Sequence, residues 1–211
     1  MLKRLPQLLA LLATLGLVSC SDKPSSHSTK AVVDTALVTP KVDAKSYRAL
    51  VLSNGLRVML VNDPEATKAA ASLNVDVGSG ADPKGREGLA HFLEHMLFLG
   101  TENYPKAGEY QAFISSQGGQ HNAYTSFNDT NYFFDVDAKA LQPTLDRFAA
   151  FFHSPLFSQE YLERERKAVN SEYFARIDNE MRRYLDVLKT LINPKHPFTK
   201  FSVGNLDTLY T

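Results

Sequence analysis

The chain has 211 residues, 44% of them apolar, and its 23 Lys and Arg residues balance 23 Asp and Glu residues. This composition argues against a disordered chain, and it provides no net basic charge of the kind that attracts nucleic acid. We therefore expect one folded domain, or two, and no nucleic-acid partner.

Residues 1–20 have the pattern of a bacterial lipoprotein signal. A short cationic start precedes an apolar run over 7–18, which is shorter than the roughly 20 residues of a membrane-spanning helix. The run ends in Leu17-Val-Ser-Cys20, which resembles a lipobox, the motif whose cysteine is lipidated and becomes the mature N-terminus. An ordinary cleaved signal with an incidental cysteine is the alternative. Cys20 is the only cysteine, so the chain can form no intrachain disulfide.

The residues after the lipobox predict the location of the protein. Acyl chains on Cys20 would anchor it to a membrane, and Ser21 in place of Asp resembles the sorting signal for the outer membrane. Residues 21–45 are polar, small and interrupted by proline, as in a flexible tether. We expect a lipid-anchored protein that faces the periplasm, at the outer membrane rather than the inner one. Its folded domain is expected over 46–211.

The folded part begins with strands and continues with alternating helices and strands. Asn54-Gly55 predicts a hairpin between strands over 47–53 and 56–62, because both residues tolerate positive φ. The apolar spacing then predicts a strand over 69–77, a helix between Gly88 and Gly100, a helix over 107–116, paired strands over 120–126 and 130–136, and helices over 141–152 and 159–192. This order predicts an α+β fold with two layers, a largely antiparallel sheet with helices packed on one face.

The first predicted helix carries a metal-binding pattern. In His91-Phe-Leu-Glu-His95 the two imidazoles are four residues apart, so they project from one helical face and can bind one zinc ion. Glu94 lies beside the pair as a candidate general base, in the reverse of the His-Glu-x-x-His order. Zinc would lower the pKa of a water molecule toward about 7, and the glutamate would take its proton.

A third protein ligand is expected on the long predicted helix near the C-terminus. A catalytic zinc ion has three protein ligands and an open fourth position. Four acidic residues lie among basic residues on that helix, a pattern also typical of a solvated helix face: Glu163, Glu165, Glu172 and Glu180. Spacing alone does not choose among them.

A set of separate blocks resembles the N-terminal catalytic domain of the pitrilysin and insulin-degrading-enzyme family, also called the insulinase family. The resemblance runs from about Tyr47 to the last residue. Its blocks are His91-Phe-Leu-Glu-His-Met-Leu-Phe-Leu-Gly-Thr101, Tyr104-Pro105, Gly119-Gln-His-Asn-Ala-Tyr-Thr125, Thr130-Asn-Tyr-Phe-Phe-Asp-Val136, Glu163-Arg-Glu-Arg-Lys-Ala-Val-Asn-Ser-Glu172 and Asn193-Pro-Lys-His-Pro-Phe198.

The resemblance implies a role for each matching residue. It implies zinc ligation by His91, His95 and Glu172, and general-base catalysis by Glu94. Glu165 matches the family's second acidic position, which we interpret as a residue that orients a zinc ligand.

The resemblance also implies how substrate binds. The strand around Asn122 and Ala123 would border the cleft, where a peptide could add as a further β-strand, and Asn122 could hold a peptide carbonyl. A local turn or strand-end hydrogen bond is the alternative for Asn122. We assign His121 and His196 to structure or solvent, and the aromatic residues Phe148, Phe151 and Phe152 to packing.

These observations predict a zinc metalloendopeptidase that hydrolyses peptides or small polypeptides. The alternative is a non-catalytic polypeptide-binding partner, or a subunit of a split peptidase; a zinc hydrolase of non-peptide substrates has no support in the sequence. Similar family members are much longer, so we expect this chain to be a fragment, a truncated reading frame or one piece of a split enzyme. Missing homologous domains or a partner subunit would then supply further substrate-positioning groups.

Overall fold

The computed structural model describes residues 32–34, 37–40 and 42–210. The predicted signal, Cys20 and most of the predicted tether therefore lie outside the described residues. The chain divides into two compact units, with the boundary between Pro64 and Glu65. Among the described residues, no helix is both long and apolar enough to cross a membrane.

The first unit is a three-stranded antiparallel sheet in the order β1-β2-β3, formed by β1 (Val32–Asp34), β2 (Ser46–Val51) and β3 (Arg57–Asn62). The structure has the predicted β2–β3 hairpin, and Gly55 adopts φ +87° in its turn. Strand β1 lies within 21–45, the segment predicted as a flexible tether, and it pairs with β2. A strand of three residues is too short to show the alternation that marks a longer strand in the sequence.

The second unit contains the other strands and all five α-helices of the described residues. Strands β4 (Lys68–Val75), β5 (Gln120–Thr125) and β6 (Thr130–Asp137) form an antiparallel sheet in the order β4-β6-β5. The helices are α1 (Leu89–Leu97), α2 (Glu109–Ser116), α3 (Leu141–His153), α4 (Gln159–Ala175) and α5 (Glu180–Leu191).

Helices cover one face of this second sheet. Tyr132, Phe134 and Val136 alternate along β6 with more exposed residues, and they form the main core with side chains of α1, α2 and α3. Strict alternation along the central strand is the reason for one buried and one open face. The predicted α+β architecture, an antiparallel sheet with helices on one side, is confirmed.

One predicted helix is wrong in extent. The helix expected over 159–192 is two helices, since α4 ends at Ala175 and α5 begins at Glu180. The Asn179 side chain accepts a hydrogen bond from the Arg182 backbone N–H over 3.1 Å, so it caps the start of α5. In a continuous helix this backbone N–H would bond to a carbonyl one turn earlier. Here the Asn179 side chain accepts the bond instead, so α5 can start as a separate helix.

Candidate metal centre

Helix α1 begins at an unusual cap. Gly88 precedes the helix with φ +91° and has no side chain with which to cap it. Instead the Asp82 carboxylate accepts hydrogen bonds from the backbone N–H groups of Gly88 (2.7 Å) and Ala90 (2.9 Å). Asp82 is only 4% exposed. Burial raises the pKa of Asp82, and the hydrogen bonds from the helix N-terminus oppose that shift.

The predicted ligands come together on two helices. His91 and His95 lie one turn apart on α1, and Glu172 approaches them from α4. One potential ligand atom from each residue lies within 4.8 Å of the other two. Glu172 Oε2 is 3.5 Å from His91 Nε2 and 3.7 Å from His95 Nε2. Two imidazole nitrogens and a carboxylate oxygen fit the preferences of zinc, and three ligands leave a fourth position open.

Each histidine is oriented by a contact through its other ring nitrogen. His91 Nδ1 is 2.7 Å from the Val203 carbonyl oxygen, which can only accept, so Nδ1 carries the proton there. His95 Nδ1 is 3.3 Å from Glu165 Oε2, which is the contact expected of a residue that orients a ligand. Both rings therefore present Nε2 toward Glu172.

Glu172 is held from its other side. Arg176 lies one turn further along α4, and its guanidinium is 2.9 Å from Glu172 Oε1. This contact leaves Oε2 toward the histidines. Two of the other acidic candidates lie elsewhere: Glu163 pairs with Arg166, and Glu180 begins α5. Of the four acidic residues that the sequence left open, only Glu172 joins the histidine pair.

A small apolar cluster packs α4 against α1. It contains Phe92 and Met96 of α1, Val169 of α4, and Val203 and Leu209 from the C-terminal segment. Backbone approaches backbone here, since a Cβ on Gly88 would lie 2.2 Å from the Gly204 Cα. This close approach places the Val203 carbonyl against His91, a contact that no sequence pattern predicts.

The candidate base, Glu94, is partly buried and contacts the sheet. The Thr125 hydroxyl, at the end of β5, donates a hydrogen bond to Glu94 Oε2 over 2.6 Å. Burial, and to a smaller extent the Glu94 charge, raises the pKa of Tyr132 on the neighbouring strand. Sequence reasoning missed Thr125, because one threonine at a strand end carries no distinguishing signal.

The predicted substrate strand is at the edge of its sheet. Within the described residues β5 pairs with β6 alone, so its other edge has no strand partner. Asn122 is exposed, and its Oδ1 accepts a hydrogen bond from the adjacent Ala123 N–H over 2.9 Å. Ala123 packs toward the main core. The Asn122 side chain thus makes the local hydrogen bond that was the alternative to substrate binding.

His121 and His196 do not join the candidate metal cluster. His121 packs against the rings of Phe98 and Tyr110, and its buried Nδ1 has no hydrogen-bond partner among the described residues. Burial lowers the pKa of His121. His196 Nδ1 accepts from the Phe198 backbone N–H over 3.2 Å. Both positions agree with the structural roles predicted for these residues.

Comparison with known proteins gives consistent results. The model of the family described as Insulinase (Peptidase family M16) matches residues 57–195. Insulin-degrading enzyme-like 2 of Arabidopsis thaliana is 49% identical over 174 residues, which cover 82% of this chain and 18% of that protein. Insulin-degrading enzyme of Homo sapiens is 48% identical over 169 residues, 80% of this chain and 17% of that protein.

Solved structures give the same result for the fold. The crystal structure of pitrilysin matches with a TM-score of 0.79 and 41% identity, over 86% of this chain and 20% of that chain. A protease from Helicobacter pylori matches with a TM-score of 0.71 and 28% identity, over 78% of this chain and 40% of that chain. The chain thus spans about a fifth of the length of the curated relatives named above.

Proposed function

The chain belongs to the insulinase family of peptidases, and from that membership we propose that it is the zinc-binding catalytic part of an endopeptidase that hydrolyses peptides or small polypeptides. The observation that carries the proposal is the convergence of His91, His95 and Glu172 within 4.8 Å. A putative zinc protease of Schizosaccharomyces pombe that is 44% identical over 178 residues supports the choice of metal.

The residues of the candidate centre have three roles in the proposed reaction: metal binding, orientation of the metal ligands, and proton transfer. A zinc ion, when bound, supplies Lewis-acid polarisation and lowers the pKa of a water molecule toward about 7. His91, His95 and Glu172 would hold that ion, while Val203 and Glu165 keep the two imidazoles in the ligating tautomer. Glu94 is the general base: it accepts the proton of the attacking water and later donates it to the departing amine.

The free edge of β5 is the proposed place for the substrate. Main-chain N–H and C=O groups on the side of β5 away from β6 can form hydrogen bonds with an extended peptide, which makes binding tolerant of sequence. Asn122 is exposed on this strand and could turn from Ala123 to a peptide carbonyl, at the loss of its local hydrogen bond. The family's longer members provide a reason to expect further substrate-positioning groups from other domains or a partner subunit.

A non-catalytic polypeptide-binding subunit is the second candidate function. It shares the free β5 edge but needs neither zinc nor Glu94. The presence of all three candidate ligands together with a base beside them favours the enzyme.

The lipoprotein-type signal over 1–20 is the basis of a proposal about where the protein is located. We propose that Cys20 is lipidated and anchors the protein at the periplasmic side of the cell envelope, with Cys20→Ser releasing it from membranes in its host. Equal membrane association of Cys20→Ser and the parent would contradict this proposal.

Metal analysis and cleavage assays test the enzyme proposal together. Purified protein should contain about one zinc ion per chain, and His91→Ala should remove it, whereas the matched variant His196→Ala should retain it. Glu94→Gln should retain zinc but reduce cleavage by about 100-fold or more, because an amide cannot accept the proton. The cleavage assay uses the longest polypeptide in which this chain occurs.

The outcomes separate the candidate functions. Stoichiometric zinc in His91→Ala would refute the metal site. Loss of zinc in Glu94→Gln would make Glu94 a ligand, and unchanged cleavage by that variant would favour the binding subunit.

A further inference from the structure

The Thr125 hydroxyl makes the one hydrogen bond to the Glu94 carboxylate among the described residues. It donates to Glu94 Oε2 over 2.6 Å, across 31 residues of sequence. Both side chains are partly buried, so water competes less for this contact than it would at an exposed site. We propose that Thr125 is a positioning residue that holds the Glu94 carboxylate for proton transfer, an inference that rests on the proposed function.

Backbone contacts fix the position of Thr125. It is the last residue of β5, and the turn that follows closes with a Ser126 N–H to Asp129 C=O hydrogen bond of 2.8 Å. The Ser126 carbonyl also accepts from the Ser79 N–H over 2.9 Å. A Cβ on Gly78 would lie only 2.4 Å from that carbonyl, so the two segments are in direct backbone contact. The backbone from which the Thr125 hydroxyl projects is therefore held in place, whatever rotamers the neighbouring side chains adopt.

A glutamate needs such a restraint more than an aspartate would. Its carboxylate lies beyond three rotatable bonds, and an unrestrained rotamer could swing it away from the attacking water or toward the ion as a fourth ligand. A hydrogen bond to Oε2 restricts these motions and leaves Oε1 able to accept the proton. A misplacement of about 1 Å in such a group can cost about 100-fold in rate. Thr125 should therefore affect kcat and leave KM nearly unchanged.

The first test uses kinetics with matched variants. Thr125→Val keeps the shape and removes the donor; Thr125→Ser keeps the donor. Thr144→Val is the control, since its buried hydroxyl donates to the carbonyl of Ala140, the residue before α3, and does not contact Glu94. In the longest polypeptide that contains this chain, Thr125→Val should lower kcat by about 10- to 100-fold at unchanged zinc content and KM. Thr125→Ser should restore most of the rate, and Thr144→Val should leave it unchanged.

The second test does not depend on activity. Crystal structures of the zinc-loaded 211-residue chain should show one Glu94 conformation in the parent and in Thr125→Ser, and several conformations or zinc ligation by Glu94 in Thr125→Val. Thr125→Ala replaces Thr125→Val if the latter does not fold. An unchanged single Glu94 conformation without the hydroxyl would overturn the proposal, as would an unchanged kcat.

Failure of the inference and failure of the proposed function are distinguishable. If Glu94→Gln abolishes cleavage but Thr125→Val cleaves normally, only the positioning role is wrong. If Glu94→Gln cleaves normally, the base itself is wrong. If no form of the protein cleaves peptides, the crystal structures decide whether Thr125 holds Glu94.

Discussion

Replacing Asp82 tests whether a residue outside α1 holds the helix that carries the candidate ligands. Asp82→Ala removes the acceptor of two backbone N–H groups, those of Gly88 and Ala90, in a buried position. Gly88 cannot take over the cap because it has no side chain. The start of α1 should then loosen, and with it the relative positions of His91 and His95.

The two hydrogen bonds determine how much the free energy of unfolding should fall in Asp82→Ala. A hydrogen bond to a charged group contributes about 1.5 to 3 kcal/mol, and favourable interaction with the helix dipole adds about 0.3 to 1 kcal/mol. Removing the carboxylate also relieves its desolvation, the same effect that raises the pKa of Asp82. The opposing effects leave an expected loss of about 2 to 4 kcal/mol in the free energy of unfolding. Asp82→Asn keeps one acceptor and should lose about half as much.

Urea unfolding followed by circular dichroism, with and without a chelator, measures this loss. Asp137→Ala is the matched control: that exposed carboxylate accepts one backbone N–H bond, from Lys139, and its loss should cost about 1 kcal/mol. A loss below about 0.5 kcal/mol for Asp82→Ala would refute the capping role. So would an equal loss for the two alanine variants.

Three further variants test the packing, the ligand orientation and the pH dependence. Gly88→Ala should cost about 3 kcal/mol or more in the free energy of unfolding, because its Cβ would overlap Gly204 at a φ of +91°. Glu165→Ala should weaken zinc binding about 10- to 100-fold in a competitive chelator titration, since His95 loses its orienting carboxylate. Folded His121 resists protonation because burial lowers its pKa, whereas in the unfolded chain the same imidazole takes up a proton near its ordinary pKa of 6.5. Stability should therefore fall as pH drops from 7 to 5, and urea midpoints of His121→Phe should fall less over that range.

Each of these variants has a control or a contradicting result. Gly85→Ala has a similar φ of +81° but open space around its Cβ, so it should cost only about 1 kcal/mol; an equal cost at Gly88 would remove the packing argument. Glu163→Ala should leave zinc affinity unchanged, because Glu163 pairs with Arg166. An unaltered pH dependence in His121→Phe would show that other groups cause the acid destabilisation.

The elements predicted well are those whose signal is local. Asn54-Gly55 predicts a hairpin from backbone conformation alone. The spacing of three residues predicts that they share one helical face: His91, Glu94 and His95. The sequence does not predict the break between α4 and α5, because acidic and basic residues continue through 176–182 without a proline or glycine. The cap formed by the Asn179 side chain is what starts the new helix.

The rest of the site depends on packing between distant segments. Spacing could not choose Glu172 from the four acidic candidates; family resemblance selected it, together with Glu165. The Val203 carbonyl could not be predicted, because every residue has a carbonyl and only the fold decides which one meets His91. Asp82 and Thr125 are ordinary loop and strand-end residues until the structure places them at Gly88 and Glu94.

The small cluster between α1 and α4 has a consequence for metal exchange. Its five buried side chains are separate from the larger core under the sheet, so we expect α4 to detach locally while the sheet stays folded. Detachment would carry Glu172, one of the three residues that would hold the ion, away from the two histidines. The rate at which zinc leaves should then follow the opening of α4, and amide hydrogen exchange in α4 should slow when the ion is present.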